Sequence, residues 1–211
     1  MRKVFLAGMI VFIALAVQAQ YPGYSPLKDD AAFKAQFREA SQKINSIKSD
    51  FIQEKNLSML DDKITSKGKF WFRKENAVRM EYTSPFQYLM VVNGTDVYIR
   101  DSKKENRISS RSNKLFQQIN RIMVDCVNGG ALESRDFTVK IFSGANGYLA
   151  ELTPVEKNLK SMFRNINITI DKKGLSVSKV EMYEPSGDNT TIRFMNREIN
   201  VNLADALFAV R

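Results

Sequence analysis

Gly68-Lys69-Phe70-Trp71-Phe72-Arg73-Lys74-Glu75-Asn76-Ala77-Val78-Arg79-Met80-Glu81-Tyr82 carries the pattern on which the fold turns. Phe70, Trp71 and Phe72 follow one another, so both faces of that strand carry an aromatic ring. Ala77 to Thr83 then alternates, with Val78, Met80 and Tyr82 on one face and Arg79 and Glu81 on the other. A period of two marks strands. A sheet that is apolar on both faces needs two covers, or one cover and an apolar ligand. Under the ligand reading, Val78, Met80 and Tyr82 line a cavity with Phe70 or Trp71 and with Met90. Val91 replaces Met90 if the register differs. Methionine suits a ligand of variable shape.

The same period extends outward. Upstream, Asp50 to Leu57 and Lys63 to Phe72 read as strands around an Asp61-Asp62 turn. Downstream, Phe86 to Val92 closes on Asn93-Gly94, a strong hairpin signal, and Val97-Tyr98-Ile99 pairs back. Further strands are expected at Phe137 to Phe142, Tyr148 to Leu152, Phe163 to Ile170, Ser176 to Glu184 and Thr190 to Asn196. Pro154 to Leu159 reads as a loop or one helical turn. Two stretches have helical spacing instead. Ala32, Phe33, Phe37, Ala40, Ile44 and Ile47 share one face after Asp29-Asp30. Leu115, Ile119, Ile122, Met123 and Cys126 share another, before Gly129-Gly130. The expected product is a single mainly β (α+β) domain over residues 20–211. It is one large antiparallel sheet with at least two helices on it. Phe33, Phe37, Ile119, Ile122 and Met123 would form the lid.

Residues 1–19 read as a secretory leader. Arg2 and Lys3 precede an apolar run, and Val17-Gln18-Ala19 fits a small-x-small cleavage site. The run is shorter than the roughly 20 residues an ordinary span requires. An exported chain follows, and loss of Arg2 and Lys3 takes the net charge from +9 to +7. Such a surface suits anionic headgroups or an acidic partner. The basic residues are scattered without a nucleic-acid motif, so no nucleic acid is expected. The one dense group, Lys103, Lys104, Arg107 and Arg111, reads as a solvated hairpin and loop.

Composition excludes most catalysis. There is no His and one Cys, so Ser-His-Asp and Cys-His mechanisms, His-ligated metals and internal disulfides are out. Cys126 reads as a small buried hydrophobe. Asp29-Asp30 and Asp61-Asp62 read as caps or turns, and no glycine-rich phosphate loop opens a helix. No enzyme activity, cofactor or metal is expected.

With these residues in place, the chain resembles the periplasmic outer-membrane lipoprotein carrier family, LolA. Ile47-Lys48-Ser49-Asp50-Phe51-Ile52-Gln53 is similar to the family's helix end leading into Phe-x-Gln. Gly68 to Tyr82 with Pro85 resembles its glycine, aromatic strand and basic pair. Leu89 to Val92 with Asn93-Gly94, Leu152-Thr153-Pro154, Ile166, Ile168 and Ile170 with Asp171 and Gly174, and Leu207-Phe208 fall in family order. The resemblance covers roughly residues 33–210. It implies an open half-barrel of antiparallel strands covered by lid helices, with a cavity for the acyl chains of lipoproteins. It further implies a monomeric carrier, an inner-membrane ABC transporter that loads it, and an outer-membrane receptor lipoprotein that unloads it. The related receptor begins with a lipidated Cys, which this chain lacks. Family carriers latch the lid with an Arg followed by Pro. Here Lys74 and Glu75 stand there, and Arg73 points to the opposite face, so Lys74 and Arg73 are the latch candidates. Met80 replaces a tryptophan.

Three other readings compete. The cavity takes a different amphiphile, such as a glycolipid or lipid-linked precursor. The half-barrel serves as an envelope-stress sensor, although such proteins usually carry a second domain. The third is an enzyme, which the missing nucleophile and base disfavour.

Overall fold

The computed structural model describes residues 20–60, 62–74, 77–94, 96–101, 105–109, 122, 124–125 and 130–209. The leader, Cys126, Ile119, Met123, Lys103, Lys104, Arg111 and most of the second helix's span lie outside the described residues.

Among the described residues, twelve strands form one antiparallel sheet. They are β1 (Tyr24–Pro26), β2 (Ser46–Leu57), β3 (Asp62–Arg73), β4 (Ala77–Ser84), β5 (Tyr88–Asn93), β6 (Asp96–Asp101), β7 (Glu105–Ser109), β8 (Phe137–Gly144), β9 (Gly147–Pro154), β10 (Asn165–Asp171), β11 (Val177–Tyr183) and β12 (Asn189–Ile199). The spatial order is β1-β8-β9-β10-β11-β12-β2-β3-β4-β5-β6-β7. Two meanders are therefore welded where β12 pairs with β2. The outermost strands, β1 and β7, do not meet, so the sheet is open. Irregular pairing at Lys67/Gly68, Thr169/Ile170 and Met195/Glu198 adds local bends.

The expected strands are all present, with ends displaced by a few residues. The sheet also gains two strands at its edges. β1 arises inside the turn-rich start, because Tyr24, Ser25 and Pro26 pair with Gly144, Ser143 and Phe142 at an edge, where proline is tolerated. β7 pairs antiparallel with β6 at the other edge.

Helix α1 (Asp30–Gln42) begins where Asp29 accepts the Ala32 N–H at 3.0 Å, and Asp30 pairs with Lys34 one turn on. The paired acids thus make a helix start. Lys157–Lys160 forms one helical turn. No helix among the described residues is long and apolar enough to cross a membrane.

Registry sets two faces. Across the inner face, Phe194, Phe51, Gly68, Tyr82 and Tyr88 lie in one row. The next row contains Phe70, Met80, Met90 and Ile99, and the next Ile47, Phe72, Val78, Val92 and Val97. The other meander continues this face with Ala150, Ile168, Val180 and Ile192. Gly68 is required here, because a Cβ would lie 2.2 Å from the Glu81 carbonyl oxygen and 2.7 Å from the Phe51 ring.

Candidate functional site

The inner face is one continuous apolar surface in two lobes. In the first, Phe33 and Phe37 of α1 pack over Ile141, Ala150, Leu152, Ile166 and Ile168. Their rings stack at 6.0 Å, and Phe33 also meets Tyr148 at 4.3 Å. Ile122 joins this lobe, and helical Val124 joins the second. The second lobe holds Phe51, Phe70, Phe72, Val78, Met80, Val92 and Val97, with Tyr82 and Met90 against it. Met182 and Phe194 touch both lobes and make them continuous.

Phe70, Val78, Met80, Tyr82 and Met90 thus share the inner face. Trp71 and Val91 do not. Strict alternation turns Trp71 away from Phe70 and Phe72, and Val91 stands opposite Arg79, not Met80. Both belong to an outer cluster with Ala77, Leu89 and Tyr98, covered by Phe208 with Leu203 and Leu207. The alternatives in which Trp71 or Val91 faces a cavity are therefore corrected. The second cover demanded by the aromatic strand is the chain's own tail. A turn of 3-10 helix at Asp205–Phe208 lays it down.

The two latch candidates divide in the same way. The Lys74 ammonium donates to the Gln42 carbonyl at 2.6 Å, and also reaches Asn45 Oδ1 at 3.4 Å. The Lys74 N–H donates to Asn45 O at 2.8 Å. A cation there meets the negative end of the α1 dipole. Arg73 lies on the outer face, paired with Asp205, its guanidinium 4.8 Å from the centre of the Phe208 ring. Lys74 therefore bonds the end of α1 on the inner side, and Arg73 contacts the tail on the outer side.

The two ends of the inner face differ. At the base, by the end of α1, Ile44, Ile47, Phe70, Val177 and Phe194 enclose a slot of only about 10 Å³. Arg197 closes it by donating to the Val177 carbonyl and to the Asp171 carboxylate. At the far end, between the β2–β3 and β4–β5 turns, a groove of about 430 Å³ is lined by Gln53, Lys55, Ile64, Ser66, Tyr82, Phe86, Gln87, Tyr88 and Asp101. Tyr82 OH donates to Gln53 Oε1 at 2.9 Å. Burial, with the neighbouring Tyr88, pushes the Tyr82 phenol up to about 12. Burial and the nearby Asp101 carboxylate raise Tyr88. Both hydroxyls stay protonated near neutrality.

Sequence reasoning missed this groove, because Gln53, Lys55 and Ser66 look like ordinary polar positions until the register aligns them with Tyr82. It also missed a buried polar knot on the outer face. There, Gln20 Nε2 donates to Glu151 Oε2 at 2.7 Å and Tyr21 OH bonds the same carboxylate. Among the described residues, no group of three or more His, Cys, Asp or Glu side chains is placed to hold a metal ion.

The model of the family described as outer membrane lipoprotein carrier protein LolA matches residues 42–211. No curated protein matches. Among solved structures, the Pseudomonas aeruginosa MucA/MucB complex is similar at a TM-score of 0.53 and 12% identity, over 85% of this chain and 60% of that chain. An uncharacterized conserved protein from Thermus thermophilus is similar at a TM-score of 0.52 and 9% identity, over 85% and 92%. A putative outer membrane lipoprotein-sorting protein domain from Vibrio parahaemolyticus is similar at 0.45 and 15% identity, over 85% and 96%. With its open antiparallel sheet, its helix-covered inner face and a family match spanning most of its length, this chain belongs to the LolA family.

Proposed function

We propose that this protein is a periplasmic carrier that holds the acyl chains of lipoproteins between its sheet and α1 and moves them from the inner to the outer membrane. The observation that carries the reading is the continuous apolar inner face beneath a helix whose end is held by one exposed lysine. The family match supports it.

The interior is filled by its own side chains, so cargo must displace α1. Exposing Phe33 and Phe37 costs about 3–6 kcal/mol. One acyl chain of about 15 methylenes returns about 12 kcal/mol relative to water, at about 0.8 kcal/mol per methylene. Opening is therefore affordable to an acyl ligand and not to water. Relative to a bilayer the gain vanishes, because the chain is already buried there. Loading then needs work, which an inner-membrane ABC transporter supplies. Unloading runs downhill once α1 closes, to an outer-membrane receptor lipoprotein or directly. The carrier acts as a monomer, without nucleic acid and without a bond-making step. A leader cleaved after Ala19 delivers it to the periplasm.

The polar groove beside the apolar interior favours one second reading, a carrier for another amphiphile such as a glycolipid or lipid-linked precursor. The test is release of a radiolabelled lipoprotein from inner-membrane vesicles by ATP and the purified protein. Soluble one-to-one complexes support lipoprotein carriage. Release of glycolipid with lipoprotein left in the vesicles supports the second reading.

A further inference from the structure

The inner face has two ends, and their chemistry differs. The base is pinned twice. Lys74 fastens the end of α1, and Arg197 bridges Val177 and Asp171 over the narrow slot. The bend in β12 that brings Arg197 there passes through Asn196, whose φ is 51°.

The far end is built otherwise. The β2–β3 and β4–β5 turns both lie there, since Leu57 pairs with Asp62 and Tyr82 with Tyr88. These turns present Met59 at 91% exposure, Leu60 at 71% and Phe86 at 67%. Phe86 and Ile64 line the groove, and from it an aromatic ladder runs inward. Tyr88 meets Tyr82 at 5.5 Å, and Tyr82 meets Phe51 at 4.9 Å. Phe51 is already part of the buried second lobe. An apolar chain sliding along this ladder stays in contact with rings from solvent to core.

The groove is also rich in donors. Tyr82 OH occupies Gln53 Oε1, which leaves the Gln53 amide nitrogen to donate. Ser66, Tyr88 and Lys55 add hydroxyl and ammonium donors on the same wall, with Lys55 3.6 Å from Glu184. The group that unites acyl chains at the head of an acylated protein is a set of ester and amide carbonyls. These are acceptors without donors of their own, apart from the amide N–H.

We propose that cargo enters at the β2–β3/β4–β5 end, and that Gln53, Lys55, Ser66 and Tyr88 hold the ester and amide carbonyls at the head of its acyl chains. The inference rests on the acyl-carrier reading above and adds a direction and a head-binding site to it.

Two probes separate the claims, both offered to the whole mature protein. One is N-phenyl-1-naphthylamine, an apolar dye without carbonyls. The other is a tripalmitoylated cysteinyl-serine amide. Gln53→Glu keeps the acceptor for Tyr82 and deletes the amide donors. It is expected to weaken the lipopeptide about fivefold, the worth of one hydrogen bond, and to leave the dye within twofold. Photo-crosslinking is expected from Phe86→benzoylphenylalanine and not from Ile199→benzoylphenylalanine at the base. Crosslinks at position 199 without any at 86 overturn the port. Equal weakening of both probes by Gln53→Glu overturns the head site. If the unmodified protein binds neither probe, the carrier reading itself fails, and the port with it.

Discussion

Lys74 and Gln42 are joined by a 2.6 Å hydrogen bond from the lysine ammonium to the helix-terminal carbonyl, which ties the β3–β4 turn to the end of α1. The bond is exposed, so it is weak enough to break if α1 is displaced. It is also the described polar tie between that turn and the helix that covers the inner face.

Lys74→Leu should loosen the cover while leaving the sheet intact. An exposed charge-assisted bond at a helix C-terminus is worth about 0.5–1 kcal/mol. Hydrogen exchange should accelerate two- to fivefold in the last turn of α1, with β10 and β11 unchanged. Lys74→Arg should restore protection. Unaltered exchange in Lys74→Leu would remove the latch.

Gly68→Ala should be among the most damaging single changes. The added methyl meets backbone at 2.2 Å and the Phe51 ring at 2.7 Å, in the row that joins the two meanders. Overpacking of this kind costs about 3 kcal/mol. Thermal unfolding should fall by about 6–12 °C on that loss.

Phe208→Ala should open the outer face. It removes a fully buried ring from the cluster around Trp71, at a cost of about 3–5 kcal/mol. Trp71 is the single tryptophan, so its emission reports the event directly. A red shift is expected in the folded variant, with probe binding on the inner face retained.

Alkaline pH should destabilise the protein through Tyr82. Its phenol is raised from 10.0 to about 12 by burial, so the folded state binds the proton more tightly than the unfolded chain. The resulting stability is fully present below pH 10 and is lost as pH rises through about 12. Unfolding midpoints measured from pH 9 to 12 should fall, and Tyr82→Phe should flatten the slope.

Much of the fold was legible because alternation is a local property. Val78, Met80 and Tyr82 declare a face from their spacing alone, and Asn93-Gly94 declares a hairpin. A helix cap at Asp29 or Asp30 was equally local, and the structure gives it to Asp29. What was not legible depends on register between distant segments. Trp71 and Phe70 are neighbours in sequence, and only the tail at Leu203, Leu207 and Phe208 decides that Trp71 faces outward. Gln53 becomes a groove residue only when β2, β3 and β4 align it with Ser66 and Tyr82. Glu151 is held by Gln20 and Tyr21, more than a hundred residues away, and no local pattern marks it. A basic residue after the aromatic strand was legible, and Lys74 bonds the end of α1. Its partner, the Gln42 carbonyl, was not, because any backbone carbonyl looks alike in sequence.

Native mass spectrometry of the mature protein, purified from its own cells without detergent, decides whether it carries acyl chains. A fraction carrying one acylated protein per chain is expected, which detergent or excess N-phenyl-1-naphthylamine displaces. A clean unliganded mass, persisting after incubation with lipoprotein and loaded inner-membrane vesicles, would contradict it.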